Sequence, residues 1–179
     1  MSRLSHRRAV FLVGFMGAGK TAVGRALASR LNWRFLDLDN EIERAAKRSV
    51  AEIFNTAGEA AFRRLESREL RRTLERVKKE GAAVVALGGG TFTQAENAGR
   101  LRQSPVPVVF LDAPLEELLR RCQAELEPVR PLLERGADAL SILYAERRPL
   151  YLAADATVQT LGKSVAEVAD EVARWLMQE

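Results

Sequence analysis

Short apolar runs recur along this chain, separated by longer segments in which apolar residues return every three or four positions. The runs Ala9–Val13, Arg34–Leu38, Ala82–Leu87, Val106–Leu111 and Ala156–Thr160 have the length of strands and predict five of them. Between the first two, Val23, Leu27 and Leu31 fall at helical spacing and predict a helix from Lys20 to about Leu31. Ser49 with Glu52, and Ser164 with Glu167, have the form of capping boxes and mark two further helix starts. The charged stretch Glu59–Glu80 reads as one helix, buried along Phe62, Leu65, Leu70, Leu74 and Val77. Strands alternating with helices predict an α/β fold, a five-stranded parallel sheet flanked by helices. No repeat, low-complexity tract or linker divides the chain, so residues 1–179 are expected to form a single domain.

Composition narrows the class. Of 179 residues, 47% are apolar and 29% charged, as in ordinary soluble proteins. The apolar runs are far too short to span a membrane. The basic start MSRLSHRRAVFLVGF resembles a signal peptide, but it runs directly into Gly17-Ala-Gly-Lys20 with no room for a cleavage site. A cytoplasmic protein with no membrane partner is therefore expected. The lone Cys122 excludes an internal disulfide, and with only His6 there is no Cys/His metal cluster. Any general base must be a carboxylate, Lys or Tyr. The net charge of +4 is spread along helices, as in Arg63-Arg64, Arg71-Arg72 and Arg147-Arg148, and suits small anionic substrates better than nucleic acid.

After the first strand comes Gly14-Phe-Met-Gly-Ala-Gly-Lys20-Thr21, a full match to G-x-x-x-x-G-K-[ST]. Glycines there let backbone N–H groups surround phosphate oxygens, and the following helix directs its positive end at them. Lys20 would reach the β- and γ-phosphates and the Thr21 hydroxyl would bind Mg²⁺. Nucleotide binding follows; the phosphoryl acceptor does not.

The acceptor side is read from the strand ends, because ligands of open α/β sheets bind beyond them. The second strand ends in Asp37-Leu-Asp39, and extended i, i+2 geometry would aim both carboxylates at one place. They suit metal support and acceptance of a hydroxyl proton, or simply the capping of the next helix. Gly88-Gly89-Gly90 follows the third strand and could expose N–H groups to a ligand oxygen.

The phosphate loop, Asp37-Leu-Asp39, Phe62-Arg63-Arg64, Gly88-Gly89-Gly90, Val129-Arg130-Pro-Leu-Leu133 and Arg147-Arg148-Pro-Leu-Tyr151 occur in the order seen in shikimate kinases. The chain resembles that family from about Ala9 to Val172. The resemblance implies a P-loop kinase fold with a mobile lid at about 122–136 and an acceptor-binding helical region at about 39–66. It implies that ATP phosphorylates the 3-hydroxyl of shikimate, with Mg²⁺ as cofactor, in a monomer. By the same resemblance, Gly17, Ala18, Gly19, Lys20, Thr21 and Ala22 hold the ATP phosphates, and Thr21 and Asp37 (through water) serve the metal. Asp39 binds the acceptor hydroxyls as the base. Arg63 and Arg147 grip the carboxylate, while Phe54, Phe62 and Gly88–Gly90 line the ring site. Arg130 closes over ATP, and Arg120 or Arg121 lies against the adenine.

Two stretches depart from the family pattern: the lid around Cys122–Val129, longer and more acidic (Glu125, Glu127), and Val158-Gln159-Thr160, where an Asp-Thr pair is common. Gluconate kinase shares the fold type, but the Gly triplet and Arg-Arg-Pro-Leu-Tyr favour shikimate. A non-catalytic nucleotide-binding module would be expected to lack Asp39 or an acceptor-side arginine, and all are present.

Overall fold

The computed structural model describes residues 9–124 and 136–178. Five parallel strands form one sheet in the order β2-β3-β1-β4-β5: β1 Ala9–Val13, β2 Arg34–Asp37, β3 Ala83–Ala86, β4 Val108–Asp112 and β5 Ala156–Gln159. Every residue of β1, β3 and β4 is buried, because strands at the centre of a covered parallel sheet face apolar surroundings on both sides. Each fully buried Val, Leu or Phe contributes about 1.5–3 kcal/mol of gross stabilisation. The edge strand β5 alternates instead, with only Val158 inward.

The helices are α1 Lys20–Leu31, α2 Leu38–Ala46, α3 Val50–Glu80, α4 Ala95–Gln103, α5 Leu115–Ala124, α6 Ala137–Tyr151 and α7 Val165–Gln178. Both capping boxes form: Ser49 Oγ accepts from the Glu52 N–H while the Glu52 carboxylate takes the Ser49 N–H at 2.7 Å, and Ser164 and Glu167 repeat the pattern. α3 is broken at Gly58, whose φ of 79° lies in the left-handed region that glycine tolerates. The capped first piece and the helix expected from Glu59 are thus two arms of one bent rod. The buried stripe of the second arm differs from the expected one. It follows Phe62, Glu66, Glu69, Leu70, Thr73 and Val77, while Leu65 and Leu74 sit half-buried beside it.

A second correction concerns Asp39. The strand stops at Asp37, which caps α2 by accepting the Asp39 N–H on Oδ1 at 3.1 Å. Asp39 is therefore in the first turn of a helix, and the i, i+2 rule for strands does not place it. The cap itself draws the two carboxylates together.

α1 packs on α7 and over β2 and β3, and α2 packs on α3. With β1 between β3 and β4, the carboxyl ends of β2, β3 and β1 stand side by side. Asp37, Gly88–Gly90 and the phosphate loop are thereby neighbours.

Candidate active site

The loop after β1 is closed by α1, whose N-cap Gly19 has a φ of 87° and uses no side chain to cap the helix. The first N–H groups of α1 are left to a ligand, the arrangement that binds phosphate. Lys20 folds back over the loop, with Nζ donating to the carbonyls of Gly14 at 2.9 Å and Phe15 at 3.0 Å. Thr21 Oγ1 donates to Asp37 Oδ2 at 2.8 Å, bringing a hydroxyl and a carboxylate together at the start of α1.

Asp39 is half-buried, and its Oδ1 is shielded from solvent with no hydrogen-bond partner among the described residues. Burial, then the neighbouring Asp37 and Glu66 carboxylates, push its pKa from 3.8 up to about 7, against the pull of Lys20. A carboxylate with a pKa near neutrality is tuned to take up and release protons at physiological pH.

Oδ1 faces Gly88, where a β-carbon would also meet Glu66 Oε1 and Thr91 Oγ1 at 3.1 Å each. Glu66 is fully buried and satisfied: it accepts from Thr91 Oγ1 at 2.6 Å, Gln94 Nε2 at 2.5 Å and Arg63 Nη1 at 2.9 Å. Arg63 is held further by Glu59 and lies over the Phe62 ring, which in turn packs at 4.7 Å on Phe54. Gly90 lies beneath the Arg63 guanidinium, where a β-carbon would be 2.6 Å from Nη2.

Arg147 approaches from α6. Its Nη1 and the Tyr151 hydroxyl would each be 3.8 Å from a β-carbon on Gly89. Tyr151 is buried and donates to the Gly89 carbonyl; burial raises its pKa to about 12, so it stays a donor. The charges of both Arg147 and Arg63 reach its hydroxyl, so two arginines far apart in sequence converge on one turn.

The residues that sequence reasoning missed are Glu66, Thr91, Gln94 and Tyr151. One signal was available: Glu66 interrupts an apolar stripe four residues after Phe62 and four before Leu70.

On the nucleotide side, Arg120 is exposed and paired with Glu117. Arg121 spans Glu117 and Thr160, donating to Thr160 Oγ1 at 2.9 Å and to its carbonyl at 3.0 Å, which fixes it at the end of β5. Gln159, where the sequence departs from the family pattern, donates to the buried Asp112, which also receives the Arg148 fork. Arg130 and most of the expected lid lie outside the described residues.

The pattern of the shikimate kinase family matches residues 16–177. A shikimate kinase from Persephonella marina is 38% identical over 165 residues, covering 92% of this chain and 96% of that one. One from Geobacter metallireducens is 41% identical, covering 98% and 96%. The solved structure of shikimate kinase from Acinetobacter baumannii in complex with shikimate superposes with a TM-score of 0.84 at 36% identity, over 96% of this chain and 94% of that one. A gluconokinase from Sinorhizobium meliloti, at 18% identity and a TM-score of 0.60, shares the fold alone. Phosphate loop, paired aspartates and converging arginines thus sit on a fold and sequence matched over nearly their full length, and the chain belongs to the shikimate kinase family.

Proposed function

We propose that this chain transfers the γ-phosphoryl group of ATP to the 3-hydroxyl of shikimate, with Asp39 as the group that orients the hydroxyl and accepts its proton. The observation behind this reading is the shielded Oδ1 of Asp39, without a hydrogen-bond partner among the described residues, held near neutral pKa beside the phosphate loop and facing the Gly88 turn. Phosphoryl transfer demands positioning and charge neutralisation, and the residues divide along those lines. Backbone groups of Gly17–Ala22 surround the phosphates, while Lys20 exchanges its loop carbonyl partners for phosphate oxygens. Arg63 and Arg147 hold the acceptor carboxylate over the Gly88–Gly90 turn, and Phe54 with Phe62 supports the arginine. Arg121 stands beside the nucleotide base, with Arg120 outside it and Arg130 closing over the phosphates.

Thr21 Oγ1 and Asp37 Oδ2 are hard oxygen donors in contact, the partial set that suits Mg²⁺, which keeps waters and phosphate oxygens for its other positions. When bound, Mg²⁺ neutralises charge on the β- and γ-phosphate oxygens. On this reading the enzyme acts as a monomer in the cytoplasm. No helix among the described residues is long and apolar enough to cross a membrane.

Purified protein should release ADP from ATP only when shikimate is supplied. ADP release with gluconate and none with shikimate would overturn the substrate assignment.

A further inference from the structure

Beside the acceptor pocket, α3 and α4 border an open cleft of about 330 Å³ lined by Arg63, Arg64, Arg68, Arg71 and Arg100, with Glu96 as its one carboxylate. Arg64, Arg68 and Arg71 follow one another at i, i+4 and i+7 and so share a face of α3. A solvated basic face normally pairs its charges along the helix, and part of this one does: Arg68 takes Glu69 and Arg100 takes Glu96. Arg64 and Arg71 have no ion-pair partner among the described residues, and Arg71 reaches Glu96 only through space.

Two further features are harder to explain by solvation. Arg100, which lines the cleft, keeps its Nε shielded from solvent with no hydrogen-bond partner among the described residues, an unmet donor beside the cleft. Gln94, also in the wall, is the N-cap of α4, yet its side chain turns to Glu66 and leaves the first turn uncapped, so the positive end of that helix adds to the field. Five guanidinia and a helix amino end around a space of this size match a compact anion with several acceptor oxygens.

We propose that this cleft binds a small phosphate-bearing anion, at a site separate from the phosphate loop, and that its occupation weakens the hold on the acceptor. The coupling runs through Arg63, which lines the cleft and also lies against Gly90, its guanidinium already shared between Glu59 and Glu66. An anion on the α4 side gives that guanidinium a competing partner and draws it from the acceptor carboxylate. This coupling rests on the reading of Arg63 as an acceptor ligand; binding of the anion does not.

The probe is inorganic phosphate, titrated calorimetrically into full-length protein whose phosphate loop is saturated with a non-hydrolysable ATP analogue. The wild type should bind phosphate saturably. The Arg71→Gln/Arg100→Gln double variant should bind it at least about tenfold more weakly, since each lost charge-assisted bond is worth about that factor. Arg64→Gln, a single exposed change, provides a second test should the double variant fold poorly, and should weaken binding severalfold. In steady-state assays at constant ionic strength, replacing chloride with phosphate should raise the wild-type acceptor KM severalfold at unchanged kcat. The double variant should show wild-type KM and kcat without phosphate and no response to it. Absence of saturable binding in the wild type, or equal binding by the variants, overturns the site. Binding without any change in acceptor KM overturns the coupling. If Arg63→Lys also leaves KM unmoved, the failure lies in the assignment of Arg63 to the acceptor and not in the cleft.

Discussion

Oδ1 of Asp39 lies so close to the α-carbon of Gly88 that a β-carbon there would be 2.8 Å from it. Position 88 is therefore held to glycine by space. Gly88→Ala should displace the Asp39 carboxylate while sparing the phosphate loop. Because misplacement of a reacting group by about 1 Å can cost on the order of 100-fold, we expect kcat/KM for shikimate to fall at least about tenfold. Affinity for an ATP analogue should be unchanged. A variant with normal kcat/KM would mean that Asp39 is not positioned by this contact.

The raised pKa of Asp39 has two consequences of opposite appearance. Between about pH 4 and 7 the native protein holds a proton on Asp39 that the unfolded chain has released, so stability falls as pH rises through that window. A rise from 3.8 to about 7 corresponds to on the order of 4 kcal/mol. Asp39→Asn should accordingly melt above the wild type at about pH 8, and the gap should close as the pH approaches 4. Activity moves the other way: kcat/KM for shikimate should rise through an apparent pKa near 7 as Asp39 ionises. Melting curves that run parallel across this range would refute the first claim, and a flat kcat/KM profile the second.

Much of this architecture is legible in the sequence because the signals are local. β1 and α1 begin and end where the apolar run and the helical spacing place them, and both Ser/Glu capping boxes form. What failed to show is what depends on convergence. The Glu66 carboxylate gathers Thr91 and Gln94 from a turn and helix more than twenty residues away, and no spacing rule reports such a meeting. The position of Asp39 escapes the sequence for a different reason. The Asp-Leu-Asp segment is short enough to read as strand, and only the Asp37 cap reveals that the helix has already begun. Tyr151 reads as the tail of a motif until the fold lays it under Gly89.

In the proposed mechanism Lys20 is the preorganised cation of the phosphate loop, and such groups contribute about 3–4 kcal/mol to the transition state. Lys20→Met should lower kcat by a factor of hundreds or more with an unaltered circular dichroism spectrum. A folded Lys20→Met protein with near-normal turnover would remove this role.

Replacing Arg63 or Arg147 with Lys keeps the charge and loses the fork. Charge-assisted bonds are worth about 1.5–3 kcal/mol each, so shikimate KM should rise roughly 10- to 100-fold with little change for ATP. Shikimate methyl ester, which keeps every hydroxyl but no carboxylate charge, should be a very poor substrate. Efficient phosphorylation of the ester would point to another polyol.

Thr21 Oγ1 meets Asp37, whereas Asp39 Oδ1 faces Gly88; the proposed mechanism gives the first pair to the metal and Asp39 to the acceptor. Asp37→Asn should raise the Mg²⁺ concentration needed for half-maximal activity. Asp39→Asn should abolish shikimate phosphorylation yet leave ATP binding near normal. Indistinguishable Mg²⁺ and shikimate profiles in the two variants would end this division of labour.

The central position of β1 also governs how the protein is born. β1 is made before the other strands of this sheet and is wholly apolar, yet its partners are β3, which reaches Ala9 from Ala83, and β4, which reaches Phe11 from Val108. At synthesis rates of about 5–20 residues per second, the nascent chain waits roughly 4–15 s between emergence of β1 and emergence of β3, the first of its partners to be made. Throughout that interval an unpaired apolar strand is exposed at the ribosome, and the phosphate loop that follows it has no sheet to fix it. Nucleotide binding is thus a late event in the life of the nascent chain, and β1 is the segment for which a ribosome-bound chaperone has the most to cover.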